Sequence, residues 1–245
     1  ETQKKFQTLC STSSDGKWAG RKIDNVVMEC FEVSSANPNL IFSGYWDLGL
    51  WRSTNKGLTW ENCNTASYTG GWQGFGGYTF NVVADPTNEN TVWCTQVGDR
   101  GDPVFFLKST NSGAPGSWLQ SGIGLPSSGS IYGLSIDPNS PSGNRKLFIT
   151  VDGDVYRSVN DGQNFMKVFD GNSCRRTAVD KFNGNVVYAG GEGGVWRSIN
   201  GGNSWSKVSI PEMEGQLIND PYNYGWEGVF EITTDPNTTG NLFVA

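Results

Sequence analysis

The chain has 245 residues, a formal net charge of −6, 33 glycines, ten tryptophans, only 17% charged side chains and no histidine. That length allows a sizeable core, while the acidic balance, with no basic cluster larger than Arg175–Arg176, argues against a nucleic-acid partner, and no run of about eighteen apolar residues offers a membrane span. Without histidine the commonest metal ligand and general base are missing, so no metal or cofactor is expected and nucleophilic Ser or Cys chemistry has no His partner.

In chain order, residues 1–25 read as an N-terminal entry segment, in which "SSDGKW" (13–18) is the tail of a preceding repeat or an entry strand. From residue 26 one pattern recurs. An alternating apolar run ending in a turn, "VVMECFEVSSANP" (26–38), is followed by a second strand, "NLIFSGY" (39–45), and then by "GLWRSTNKGLTW" (49–60), a strand, a glycine turn and the start of a fourth strand. The same order returns in "YTFNVVADP", "TVWCTQV" and "FLKSTNSGAPGSW"; in "IYGLSIDP", "KLFITVD" and "VYRSVNDGQNF"; and in "RTAVDKFNGN", "NVVYAGG" and "VWRSINGGNSW". Half of a fifth copy follows, "GVFEITTDP" (228–236) and "NLFVA" (241–245). The repeat serines Ser53, Ser109, Ser158 and Ser198 lie 56, 49 and 40 residues apart, the length of a four-stranded propeller blade. The fold class expected is all-β: a propeller of four-stranded antiparallel blades at about 26–64, 77–121, 131–170 and 175–210 with a partial blade at 228–245, a segment of a larger ring that further chain completes.

The recurring phrase has a structural reason. Gly57, Gly113, Gly162 and Gly202 supply the positive φ of a reversal, and Asn55, Asn111, Asn160 and Asn200 are expected to fold onto backbone N–H groups two residues on. Ser53, Ser109, Ser158 and Ser198 bond across the turn, and Trp60, Trp118, Phe165 and Trp205 close it as a lid. This phrase, S-x-N-x-G-x-(T/S)-W, resembles the Asp-box or bacterial neuraminidase repeat, S-x-D-x-G-x-T-W, of sialidases, xyloglucan-specific endoglucanases and sortilin-type receptors. The resemblance implies a secreted or cell-surface propeller. Asn stands in place of the Asp in all four copies, keeping the acceptor and dropping the charge. The Arg-Ile-Pro opening of sialidases is absent, and Arg52, Arg157 and Arg197 belong to the phrase itself.

Function is expected in the loops that vary between blades. The turns between second and third strands carry Asp47, Asp99 or Asp102, Asp152 or Asp154, and Glu192, and paired carboxylates are what glycoside hydrolysis needs. The plain alternative is that Asp-Gly and Gly-Asp merely make tight turns. In "YWDLGLWRS", Asp47 follows Trp46, and the stretch is similar to the D-x-G-G motif of xyloglucan-specific endoglucanases, which implies a catalytic role for Asp47, although Leu50 stands at the second Gly. The glycine-rich connections "YTGGWQGFGGY" (68–78) and "NDPYNYGWEGVF" (219–230) offer Tyr68, Trp72, Phe75, Tyr78, Tyr222, Tyr224 and Trp226, for stacking on sugar faces or for plugging blade seams. The five cysteines (10, 30, 63, 94 and 174) show no CxxC pair and read as one or two disulfides with a spare thiol, or as buried apolar thiols. Two functions remain: a non-catalytic module binding glycan or protein, and an endo-β-glucanase working by paired carboxylates.

Overall fold

The structure is a computed structural model. It describes residues 11–12, 18–19, 27–46, 48–63, 77–97, 104–171, 173–210, 229 and 231–245. The chain divides into two compact units, Glu1–Ser121 and Gly122–Ala245.

In the first unit a two-stranded pair, β1 (Ser11–Thr12) and β2 (Trp18–Ala19), precedes two antiparallel meanders. These are β3 (Met28–Val33), β4 (Ile41–Tyr45), β5 (Gly49–Ser53) and β6 (Glu61–Asn62), then β7 (Tyr78–Ala84), β8 (Val92–Val97), β9 (Val104–Ser109) and β10 (Trp118–Ser121). The second unit repeats the meander in β11 (Ile131–Ile136), β12 (Leu147–Val151), β13 (Asp154–Ser158) and β14 (Met166–Phe169), and again in β15 (Cys174–Val179), β16 (Val187–Gly191), β17 (Gly194–Ser198) and β18 (Ser206–Val208). A two-stranded sheet, β19 (Ile232–Thr234) and β20 (Leu242–Val244), follows. Three of the fourth strands start one residue after the closing aromatic and only β10 begins on it.

Each meander is amphipathic in the way stacked blades require, with its second strand most deeply buried: every residue of β12 and β16 is buried. In the first unit Leu40, Phe42, Leu50, Cys63, Val82, Ala84, Val92, Cys94, Leu107 and Trp118 form one core between the two blades. The described cysteines Cys30, Cys63, Cys94 and Cys174 are free thiols. Burial pushes Cys63 and Cys94 well up and Cys174 to about 12, so these behave as small apolar side chains and not as nucleophiles. Cys10 lies outside the described residues.

The phrase builds one turn four times. The serine Oγ accepts the amide of the glycine four residues on, at 2.8 Å in Ser53, 3.1 Å in Ser109, 3.0 Å in Ser158 and 2.8 Å in Ser198. The asparagine acts differently from the expectation: Oδ1 of Asn55, Asn160 and Asn200 accepts the amide four residues on, from Thr59, Asn164 and Ser204 at 2.9, 3.0 and 2.9 Å. The amide two residues on is that of the phrase glycine, which the serine Oγ already occupies, and the glycine and the residue before it are both left-handed, as Lys56 (φ 59°) and Gly57 (φ 83°) show. Trp60 and Trp205 close the turn by donating Nε1–H to the glycine carbonyl at 3.0 and 3.1 Å. The left-handed residue before the phrase glycine also hooks the turn to its own blade's first connection: Lys56 donates to Asn39 O, Ser112 to Asn90 O, Asp161 to Arg145 O and Gly201 to Asn185 O, at 2.9–3.0 Å. First-to-second and third-to-fourth turns therefore share one end of every blade. Ser198→Ala removes acceptors from two amides in a buried position, and we expect urea unfolding to show a loss of about 1–3 kcal/mol.

Candidate functional site

At the opposite end of the blades, the first strand is irregular in the same place four times. Pairing to the second strand skips one residue between Met28 and Cys30, Thr79 and Asn81, Ile131 and Gly133, and Cys174 and Arg176. The extra residues are Glu29, Phe80, Tyr132 and Arg175. A bulge of this kind removes a residue from the ladder and re-aims its side chain, and bulges concentrate beside binding sites for that reason.

In the first unit the re-aimed side chains converge on Trp46, at the tip of the β4–β5 hairpin. Its indole Nε1 donates to Glu29 Oε1, and its ring meets Tyr78 and Phe80 edge-on at 5.2 and 6.2 Å between centroids. Tyr78 and Phe80 are themselves 6.3 Å apart. Trp46 keeps 39% of its surface open, although Tyr78 and Phe80 are mostly buried behind it. The tip is pinned on both sides of position 47: Trp46 N–H donates to Val27 O at 3.0 Å, and Leu48 O accepts the Trp51 indole at 2.9 Å and the Asn62 amide at 3.1 Å. The result is an anchored aromatic shelf with the Glu29 carboxylate at its margin. Such a surface offers a flat apolar face and a hydrogen-bond acceptor, the two requirements of a pyranose ring.

The second unit places polar groups at the corresponding end of its blades. Arg175 stacks its guanidinium over Tyr132 at 5.5 Å and pairs with Glu192 at 3.1 Å, while Arg176 bonds Tyr132 O and pairs with Glu231 at 3.2 Å. Asp152, left-handed at φ 49°, accepts the Ser130 amide at 2.7 Å. Asp154 binds Lys167 at 3.2 Å and the Gly171 amide at 3.3 Å. These carboxylates thus hold local structure, with Glu192 half in solvent.

Of the residues singled out from the sequence, the structure brings Trp46 and Tyr78 together and places Glu192 against Arg175. Asp47, Tyr68, Trp72, Phe75, Asp99, Asp102, Tyr222, Tyr224 and Trp226 lie outside the described residues. Glu29 and Phe80 carry no such signal, since in an alternating strand they read as an ordinary exposed acid and an ordinary core ring. Among the described residues no group of three or more Cys, Asp or Glu is placed to hold a metal, and no helix is long and apolar enough to cross a membrane.

No family model matches the chain. Over 74 residues it is 39% identical to a xyloglucanase of Hypocrea jecorina, a stretch that makes up 26% of this chain and 9% of that enzyme. Among solved structures it is similar to an ancestral GH74 enzyme, with a TM-score of 0.60 at 19% identity over 76% of this chain and 24% of that one. It is similar also to the GH74 xyloglucanase of Xanthomonas campestris, with a TM-score of 0.60 at 16% identity over 87% of this chain and 34% of the enzyme. The chain spans well under half the length of each of these relatives. What it shares with the solved structures is the fold, an all-β propeller built from four-stranded antiparallel blades.

Proposed function

We propose that this chain is part of a secreted glycoside-hydrolase-like propeller, built on Asp-box-type turns, that acts on a β-glucan of the xyloglucan class. The observation that carries the reading is the 39% identity to a xyloglucanase over 74 residues. It is supported by the anchored aromatic shelf of Trp46, Tyr78 and Phe80 beside position 47. In this reading Trp46 stacks against a glucosyl ring and Asp47, next in the chain, is one of two carboxylates that flank the scissile bond, acting as general acid or base. Its counterpart is a carboxylate on another blade of the complete protein. The glycine-rich loops with Tyr68, Trp72, Phe75, Tyr224 and Trp226, and the turn acids Asp99 and Asp102, extend the glycan-binding surface.

The test is hydrolysis of xyloglucan by the protein at its native length. Asp47→Ala should lower kcat by about 10²–10⁴-fold with the fold intact by circular dichroism. Trp46→Ala should act mainly on KM, raising it about tenfold through lost stacking. A wild-type protein that leaves β-glucans intact sinks the enzymatic reading.

A second reading is favoured by one observation: in the second unit Asp152, Asp154 and Glu192 are all engaged in structural bonds. On that reading the blades bind glycan without cleaving it, Trp46→Ala abolishes binding, and Asp47→Ala leaves it unchanged.

A further inference from the structure

The second and third strands of every blade place an aromatic ring directly across from a basic side chain: Phe42 opposite Arg52, Trp93 opposite Lys108, Phe148 opposite Arg157 and Tyr188 opposite Arg197. In two of these pairs the guanidinium reaches the turn of the following blade. Arg52 Nη1 donates to Ser112 O at 2.8 Å, and Arg157 Nη1 donates to Gly201 O at 2.6 Å and to Asn203 Oδ1 at 2.7 Å. Both carbonyls belong to the left-handed residue just before the phrase glycine of the next blade. That glycine lies on the paired ring so closely that a Cβ on Gly113 would sit 2.5 Å from Phe42, and one on Gly202 would sit 2.9 Å from Phe148. Ring and guanidinium together form a socket, and the turn of the following blade fills it.

The pair Tyr188 and Arg197 has the same register and a guanidinium held over its ring at 5.9 Å. Its blade is already joined to the sheet of β19 and β20. Gly240 N–H donates to Asp180 Oδ2 at 2.9 Å, Thr234 Oγ1 to Val179 O at 3.2 Å, and Tyr188 OH to Gly240 O at 3.4 Å. The buried Nε has no partner in either Arg157 or Arg197, so the two differ at the outer nitrogens: those of Arg157 bond the next turn, whereas among the described residues no carbonyl accepts from Arg197.

We propose that Tyr188 and Arg197 are a docking socket for one more turn of this class, carried by a third strand that adds to the β20 edge. The acceptor is the backbone carbonyl of the left-handed residue before that turn's glycine. Continuity selects the occupant, because in both filled sockets the turn comes from the blade whose first two strands already pack on the socket's own blade. This inference rests on the blade geometry and not on the enzymatic reading, so either fails without the other.

The experiment uses the protein at its native length and compares wild type with Arg157→Ala, Arg197→Ala and Arg197→Lys by amide hydrogen exchange and by phenylglyoxal labelling of arginine. Arg157→Ala should speed exchange of residues 199–205 by about tenfold, as loss of a bond to a charged donor implies. Arg197→Ala should do the same to a segment of the same chain bearing an S-x-(N/D)-x-G turn, with Arg197→Lys in between. Wild-type Arg197 should resist phenylglyoxal as well as Arg157 does, a result that needs no variant to fold. Arg197 labelling at the rate of an open arginine, unchanged exchange in Arg197→Ala, or protection supplied by a separate polypeptide each overturns the proposal.

Discussion

Glu32→Gln is expected to flatten the pH dependence of stability and to make the protein more stable at pH 8. Glu32 lies mostly buried in the seam between the two blades of the first unit, where its carboxylate accepts the Ala84 amide at 3.1 Å. Burial raises its pKa from 4.5 to about 7, the amide bond opposing that rise more weakly. The folded state therefore keeps a proton that the unfolded chain gives up near pH 4.5, and unfolding releases a proton between these values. Stability contributed by the neutral group is complete below about pH 4.5 and is lost as the pH rises to about 7, by about 3 kcal/mol at the most. Glutamine keeps an acceptor for Ala84 and has no charge to desolvate. Urea unfolding from pH 4 to 8 should show wild type and variant converging at the acid end and separating by about 2–3 kcal/mol at the basic end. Parallel curves across the range would show that Glu32 ionises freely.

Gly113→Ala should be among the most damaging single methyl additions in the first unit, costing about 2–4 kcal/mol by denaturant unfolding. Two costs coincide there: φ is +66°, which an L side chain resists, and the added Cβ falls 2.5 Å from the fully buried Phe42 ring and 3.1 Å from Trp118. Gly116, three residues later, separates them. Its φ is +75° but nothing lies within 4 Å of the place its methyl would take, so Gly116→Ala should lose only the backbone part, about 1 kcal/mol. Equal losses in the two variants would mean that Phe42 yields and that the turn is not clamped by its neighbour.

The parts of this architecture that are local in sequence were legible in it. The serine bonds and the positive φ of Gly57, Gly113, Gly162 and Gly202 follow from residue types within five positions of one another. The left-handed position just before each of these glycines was hidden, because Lys56 and Ser112 carry no compositional sign of it and only Gly201 states it outright. The burial of Glu32 was hidden too: an acid near the end of an apolar run carries no sign of it, but Glu32 shares its side of β3 with Cys30, and that side packs on β7, as Cys30 Sγ shows by donating to Thr79 O at 3.6 Å. The shelf around Trp46 depends on which residues the first strand leaves unpaired, and pairing register is a property of two strands that neither sequence states alone.

The four bulges have a further consequence for how such a protein diversifies. In a regular strand each side chain is bound by parity: inward positions must suit the core and outward ones the neighbouring blade. The extra residue is released from that parity, and equivalent places accordingly hold an acid, a phenyl ring, a phenol and a base at Glu29, Phe80, Tyr132 and Arg175. Each blade thus presents one position freed from that alternation, so recognition can be rewritten blade by blade while the hydrophobic seams stay as they are.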